Sequence, residues 1–298
     1  FQNPDKMKGT FILRGEMPDV TFAQVFLKDS VVQIPRGIDM LARLKAERGT
    51  MTGLLRLCTG QGCLSLDASY GIRQQKYDAE LTVNQFPLDR FLPNDSLGVL
   101  SSAFRFSGRA FTWKEAEAEM DAHIRLLEYR GYSYEDITLS ASLDRTRLKG
   151  TLTSRDTGIP LDLVFRGDSV EQEYMFSLYG KLGQADFQRL RLVNEPLTAG
   201  TDIELQAAMG KEEAYTLQLR LDSLRMSDAR KNYVLGNLML DGMSNVNKTE
   251  LKVVSGDLKL EFRTDTSVSA FVNSSGKVAG VIQQQIKDRN VNMELVRE

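Results

Sequence analysis

Between Tyr134 and Asp168 apolar and polar residues trade places one by one. Ile137, Leu139, Ala141 and Leu143 alternate with Thr138, Ser140, Ser142 and Asp144. After a charged turn Leu148, Gly150 and Leu152 continue the pattern, and after a second turn Leu161, Leu163 and Phe165 do so again. Successive side chains of a strand point to opposite faces, so a period of two puts every one of these apolar groups on one side of a sheet. The same period returns at Tyr215, Leu217, Leu219 and Leu221, and at Leu258, Leu260 and Phe262.

The pattern also repeats at long range. Laying Asp39 on Asp136, a shift of 97 residues, brings Met40 to Ile137, Ala42 to Leu139, Gly53 to Gly150, Leu55 to Leu152, Leu64 to Leu161, Tyr77 to Tyr174, Leu81 to Leu178 and Asp89 to Asp186. A shift of 99 lays Tyr134 on Tyr233, and Ala116, Ala118, Met120 and Ala122 on Tyr215, Leu217, Leu219 and Leu221. A repeat fixes the architecture before any single motif does. The whole chain, 1–298, reads as one continuous unit with repeats at roughly 20–99, 100–198 and 199–298.

The repeat resolves two ambiguous stretches. "MLARLKAERG" and "TWKEAEAEMDAHIRLL" are rich in helix formers. In the second, however, Ala116, Ala118, Met120, Ala122 and Ile124 alternate with Glu115, Glu117, Glu119, Asp121 and His123, a period that no helix has. Both are expected to be strands, although helix is the alternative that propensity alone would choose. Gly, Asn and Asp mark the breaks, as in "GMSNVNKTE" and "VNSSGK". The expected fold is all-β, an antiparallel meander of about 20 to 25 strands at ordinary strand lengths.

A net charge of −2 at pI near 5.7 leaves no electrostatic footprint for nucleic acid or an anionic membrane. No run of 18 apolar residues could span a bilayer as a helix, and "FQNPDKMKGT" lacks the layout of a signal peptide. A start at Phe1 suggests a piece of something longer. The two cysteines, Cys58 and Cys63, flank the turn "TGQG". If Leu57 and Leu64 face each other across a hairpin, both thiols fall on the outward side within disulfide reach, which suits an oxidising compartment. Two unbridged thiols beside a turn fit the spacing as well.

Catalytic constellations are scarce. The single histidine, His123, sits on the charged side of an alternating strand. "GDSV" at Gly167 to Val170 is similar to the nucleophile block of one hydrolase group, but such an enzyme needs a histidine downstream as base, and none follows. Cys58 and Cys63 have no companions at metal-ligand spacing. Glu115, Glu117, Glu119 and Asp121 read as a solvated strand face rather than a cation site. The sequons "NKT" and "NSS" are too short to signify. No enzyme activity, cofactor or metal is expected.

An antiparallel sheet with one apolar face must bury it, and no amphipathic helix is available to cover it. Either the sheet curls until the apolar face lines its own interior, or two sheets pack as a closed sandwich. In the first case Gly150, Ala141, Ala116 and Ala118 among the Leu, Ile and Phe leave room inside, a trough suited to an acyl chain.

"YSYEDITLSASL", "LKGTLTSRDTGIPLDLVFRGD", "EYMFSLYGKLGQADFQRL" and "YTLQLRLDSLRMSDARKNYVLGNLMLDG" resemble the repeating units of the TamB proteins, within the AsmA-like group of bacterial envelope proteins. "LDRF" at Leu88 to Phe91 and "ADFQRL" at Ala185 to Leu190 match the family's Asp-containing segment after a Tyr-led strand. The turn composition suggests a Bacteroides-type relative. The resemblance is best from about Leu100 to Phe262 and includes no catalytic motif.

It implies a β-sheet curled lengthwise into a groove with an apolar interior, a β-taco, with little or no helix. It also implies a periplasmic protein anchored in the inner membrane and reaching the outer membrane, where a barrel of the TamA or BamA kind would be the partner through a part absent here. The implied function is outer-membrane biogenesis, with movement of phospholipid between membranes and support of outer-membrane protein assembly. The residues expected to line the groove are Ile137, Leu139, Leu143, Leu148, Leu152, Leu161, Leu163, Phe165, Phe176, Leu178, Leu217, Leu219 and Leu221. Phospholipid is the expected ligand and the chain is expected to be monomeric, with no nucleic acid partner. Two rivals remain: a chaperone or scaffold that adds strands of nascent outer-membrane barrels or autotransporters to its sheet edge, and a closed sandwich serving as a structural or adhesive module.

Overall fold

The computed structural model describes residues 8–17, 33, 35–92, 96–112, 114–170, 173–210 and 214–267. Parts of the outer repeats, 20–32 and 268–298, and the sequon at Asn273 lie outside the described residues.

Among the described residues sixteen strands form one sheet in chain order, each antiparallel to the next. The first eight are β1 (Lys8–Met17), β2 (Ile38–Glu47), β3 (Thr50–Thr59), β4 (Gly62–Gly71), β5 (Lys76–Pro87), β6 (Leu97–Arg109), β7 (Glu117–Tyr129) and β8 (Tyr132–Asp144). The second eight are β9 (Arg147–Ser154), β10 (Leu161–Val170), β11 (Glu173–Asp186), β12 (Leu197–Met209), β13 (Tyr215–Asp228), β14 (Asn232–Ser244), β15 (Thr249–Ser255) and β16 (Leu258–Thr264). The sole helical element among the described residues is a 3-10 turn, Leu88–Arg90. The first helix-prone stretch falls in β2, as the repeat implies, and the second is strand β7 from Glu117 on, as its alternation implies; Glu115 and Ala116, expected in that strand, belong to the turn before it.

The described strands number sixteen rather than about 20 to 25 because they are long. β11 and β13 run 14 residues each, well over the common length of 5 to 6. Among the described residues β1 and β16 pair on one side only, and the sheet does not close on itself. All described strands belong to this one layer, and the two-layer sandwich is therefore not the architecture.

Tight turns join the strands. Arg48–Gly49 and Arg130–Gly131 have φ of 48° and 78°, and of 50° and 72°. Two consecutive left-handed residues make the hairpin turn whose twist matches that of the strands. A shift of 97 residues carries β2, β3, β4 and β5 onto β8, β9, β10 and β11, and a shift of 99 carries β6, β7 and β8 onto β12, β13 and β14.

Regular pairing fails only toward one end of the strands. Bulges fall between Val83 and Phe86, around Leu97 to Ser102, between Leu182 and Ala185, between Gly200 and Asp202, and from Leu221 to Arg225. Each lies near the end that carries the β5–β6 and β11–β12 connections. A bulge bends its strand and increases the local twist. Two clusters of them, six strands apart, suit a sheet curled lengthwise.

Candidate functional site

Strand register gathers the alternating apolar residues into files that run across the sheet. One crosses all sixteen strands without a polar residue: Phe11, Leu44, Gly53, Ala68, Ala79, Phe106, Met120, Ala141, Gly150, Phe165, Leu178, Leu205, Leu219, Leu240, Val253 and Leu260. Beside it Leu139, Leu152, Leu163, Gly180, Ile203, Leu221 and Leu238 belong to a second file. Leu143, Leu148, Gly167, Phe176, Ala207 and Leu217 belong to a third on its other side. Ile137 and Leu161 belong to a fourth, each opposite Ser154. All thirteen residues expected to line a groove thus share one face.

The opposite face is wet. Its files run, for example, through Ser107, Glu119, Ser142, Lys149, Arg166, Ser177 and Gln206. Exposed ion pairs such as Arg105–Glu80 (3.5 Å) and Arg220–Glu204 (3.9 Å) decorate it and add little stability. At a strand spacing of about 4.8 Å the sheet extends about 70 Å, and four files two residues apart span about 20 Å. That side of the sheet therefore measures about 1,400 Å² before what covers it is counted.

Part of that face is covered near the bulged end. After β5 the chain turns at Leu88–Arg90, Phe91 stacks on Phe86 at 4.8 Å, and the Phe91 carbonyl accepts a hydrogen bond from the Gln33 N–H (2.8 Å), which precedes β2. After β11 the segment 187–192 folds on itself, with the Leu190 N–H donating to the Asp186 carbonyl. Its Arg189 lies over the Tyr132 ring (5.9 Å), and Arg191 packs so closely on Gly131 that a Cβ there would sit 2.5 Å from it. Leu190 is fully buried (0 % exposed). Each segment straps the end of one strand back to the start of another three strands earlier. Ile38, Val83, Phe86, Leu163 and Ala185 are buried at this end, whereas Phe11, Leu44, Phe106, Leu217 and Leu260 remain exposed in the first and third files.

A buried polar knot braces the second strap. The Tyr132 hydroxyl donates to Asp156 Oδ1, and the N–H groups of Gly158 (2.7 Å) and Glu135 (2.8 Å) donate to its two oxygens. Burial pushes the Tyr132 hydroxyl up to about 12, and its hydrogen bond to the carboxylate adds in the same direction. The alternation signal was blind to this knot, because Asp156 lies in a connection and not in a strand. "LDRF" and "ADFQRL" lie in the two straps.

Cys58 and Cys63 lie directly opposite each other on the wet face, Cα atoms 4.2 Å apart, joined as a disulfide. His123 Nε2 is 2.9 Å from Asp136 Oδ1, also on that face and half exposed. Glu119 and Asp121 stand on the wet face of β7, Asp121 accepting from the Ser140 hydroxyl (2.6 Å). Glu115 precedes β7 and accepts from Thr112 (3.3 Å). In "GDSV", Gly167 belongs to an apolar file and Asp168 is 3.7 Å from Arg147. Among the described residues no group of three His, Cys, Asp or Glu could hold a metal ion.

Fold and site together define an open, single-layer antiparallel meander with one continuous apolar face, strapped along one end of its strands. No family model, curated protein or solved structure matches the chain.

Proposed function

We propose that this is a TamB-like envelope protein whose apolar trough carries phospholipid acyl chains between the inner and outer membranes and so supports outer-membrane protein assembly. The observation that carries the reading is the file from Phe11 to Leu260, apolar at all sixteen strands, on a face left uncovered along much of its length. Each buried CH2 group is worth about 0.8 kcal/mol. A dozen tail carbons can therefore be held without any specific contact, and a ligand held this way can slide. The disulfide suits the oxidising periplasm. Carriage of this kind needs no catalytic group, and docking to an outer-membrane barrel would fall to another part of the protein.

Native mass spectrometry of the purified chain, with extraction and identification of what co-purifies, tests the reading. Phospholipid bound in the folded protein is the expected outcome, and lipid-free protein that also takes none from vesicles would overturn it. A second reading rests on the sheet edges: among the described residues β1 and β16 each pair on one side, and β1 carries exposed Phe11, Ile12 and Leu13 in succession. Such an edge could accept a strand of a nascent barrel. Binding of unfolded barrel peptides by lipid-free protein would favour it.

A further inference from the structure

The end of the strands opposite the straps carries a different kind of surface. Tyr70 at the end of β4, Tyr77 at the start of β5 and Phe106 in β6 belong to the apolar files, and Phe111 from the β6–β7 connection leans back over them. Tyr77 stacks on Phe106 (5.1 Å, 12°) and on Phe111 (5.1 Å, 26°), and Phe111 meets Tyr70 at 5.8 Å. Its outer rings are exposed, Phe111 at 70 % and Phe106 at 41 %, with Tyr70 and Tyr77 half-buried. One repeat on, Tyr174, which lies 97 residues after Tyr77, faces Met209, and Met209 faces Tyr215, all three exposed at the same end.

Beside the rings, on the wet side of the rim, Lys76 lies directly opposite Arg109. Like charges facing across strands destabilise a sheet. Glu117 is bonded to Arg109 (Nε–Oε2 2.7 Å), and Asp144, directly opposite Glu117, also acts on Arg109. Arg73 and Lys114 lie in the two connections that flank the rings, with Glu115 next to Lys114. An apolar face bordered by phenol rings and then by cations has the layering of a bilayer's interfacial zone: tails, ester level, phosphate.

We propose that this strap-free rim at β4–β6 is where a phospholipid boards the trough, its tails passing over the ring cluster and its phosphate resting against Lys76 and the neighbouring cations. The assignment rests on the trough reading and adds a place and a polarity to it. Two straps cover part of the other rim, so boarding is favoured from this side.

The test is the rate at which the full chain takes up lipid from vesicles of phosphatidylethanolamine and phosphatidylglycerol, followed by native mass spectrometry at timed intervals. Two rim variants, Lys76→Glu and the pair Tyr77→Ser with Phe111→Ser, are compared with Leu192→Ser, an exposed site on the second strap. Lys76 is exposed, so its variant folds even where the aromatic pair fails. Loss of ring contacts worth about 1 kcal/mol slows loading about fivefold. Slower loading in both rim variants with Leu192→Ser at the wild-type rate is the expected result. Rim variants that load as fast as wild type, or Leu192→Ser slowed equally, would overturn the rim assignment alone. A wild-type chain that takes up no lipid overturns the trough reading along with it.

Discussion

At the scale of residues, burial separates positions that alternation treats alike. Leu163 and Leu217 carry the same signal in the sequence, yet Leu163 is 9 % exposed beneath the strapped end and Leu217 is 38 % exposed. Leu163→Asp puts a carboxylate in a covered site and should cost on the order of 4 kcal/mol or more, enough to unfold the protein. Leu217→Asp should change stability by less than about 1 kcal/mol and remove bound lipid. Denaturant titration and lipid extraction of the two variants distinguish the effects. Tyr132 makes a pH prediction. Its hydroxyl ionises near 12 when folded and near 10 when unfolded. The unfolded chain therefore sheds that proton first, so the stability this adds is full below pH 10 and is lost as pH rises to 12. Tyr132→Phe should flatten that loss in denaturation curves taken across the window, while being less stable at neutral pH because Asp156 loses a donor.

At the scale of elements, the disulfide and the straps hold different things. The Cys58–Cys63 bridge closes a loop of a few residues across an existing hairpin, for which chain entropy allows about 2 kcal/mol at most. Cys58→Ser with Cys63→Ser should lower stability by that amount or less and leave lipid occupancy unchanged; denaturation with and without reductant checks it. The straps join strands that are not neighbours, which no turn can do. Here the limits of sequence reading have a physical cause. Period-two alternation assigned β7, and the repeat β2, against helix propensity, and alternation placed Ile137, Leu139 and Phe165 on one face, because a strand's side-chain direction is a local property. It was silent on the bulges at Val83 and Leu182, on the Tyr132–Asp156 knot and on the burial of Leu190, since each depends on a partner distant in the chain. The Tyr70–Tyr77–Phe111 cluster was equally hidden, although the match of Tyr77 to Tyr174 pointed at one of its members.

At the scale of the whole molecule, the register that links Met120 to Ala141 across β7 and β8 also places Leu240 on the same file six strands later. Excising residues 132–230 joins Gly131 to Lys231 and sets Leu240 where Ala141 was, the shift of 99 preserving the register. A ten-stranded sheet about 45 Å long should result, folded and holding fewer lipids, as circular dichroism and native mass spectrometry would report. Excising one residue more inverts every side chain downstream and should give an insoluble product. Span is therefore quantised in this molecule. A lineage of such chains could lengthen or shorten its apolar face by gaining or losing whole modules of about 29 Å, and gene duplication, the coarsest of genetic events, would be the natural gauge of that length.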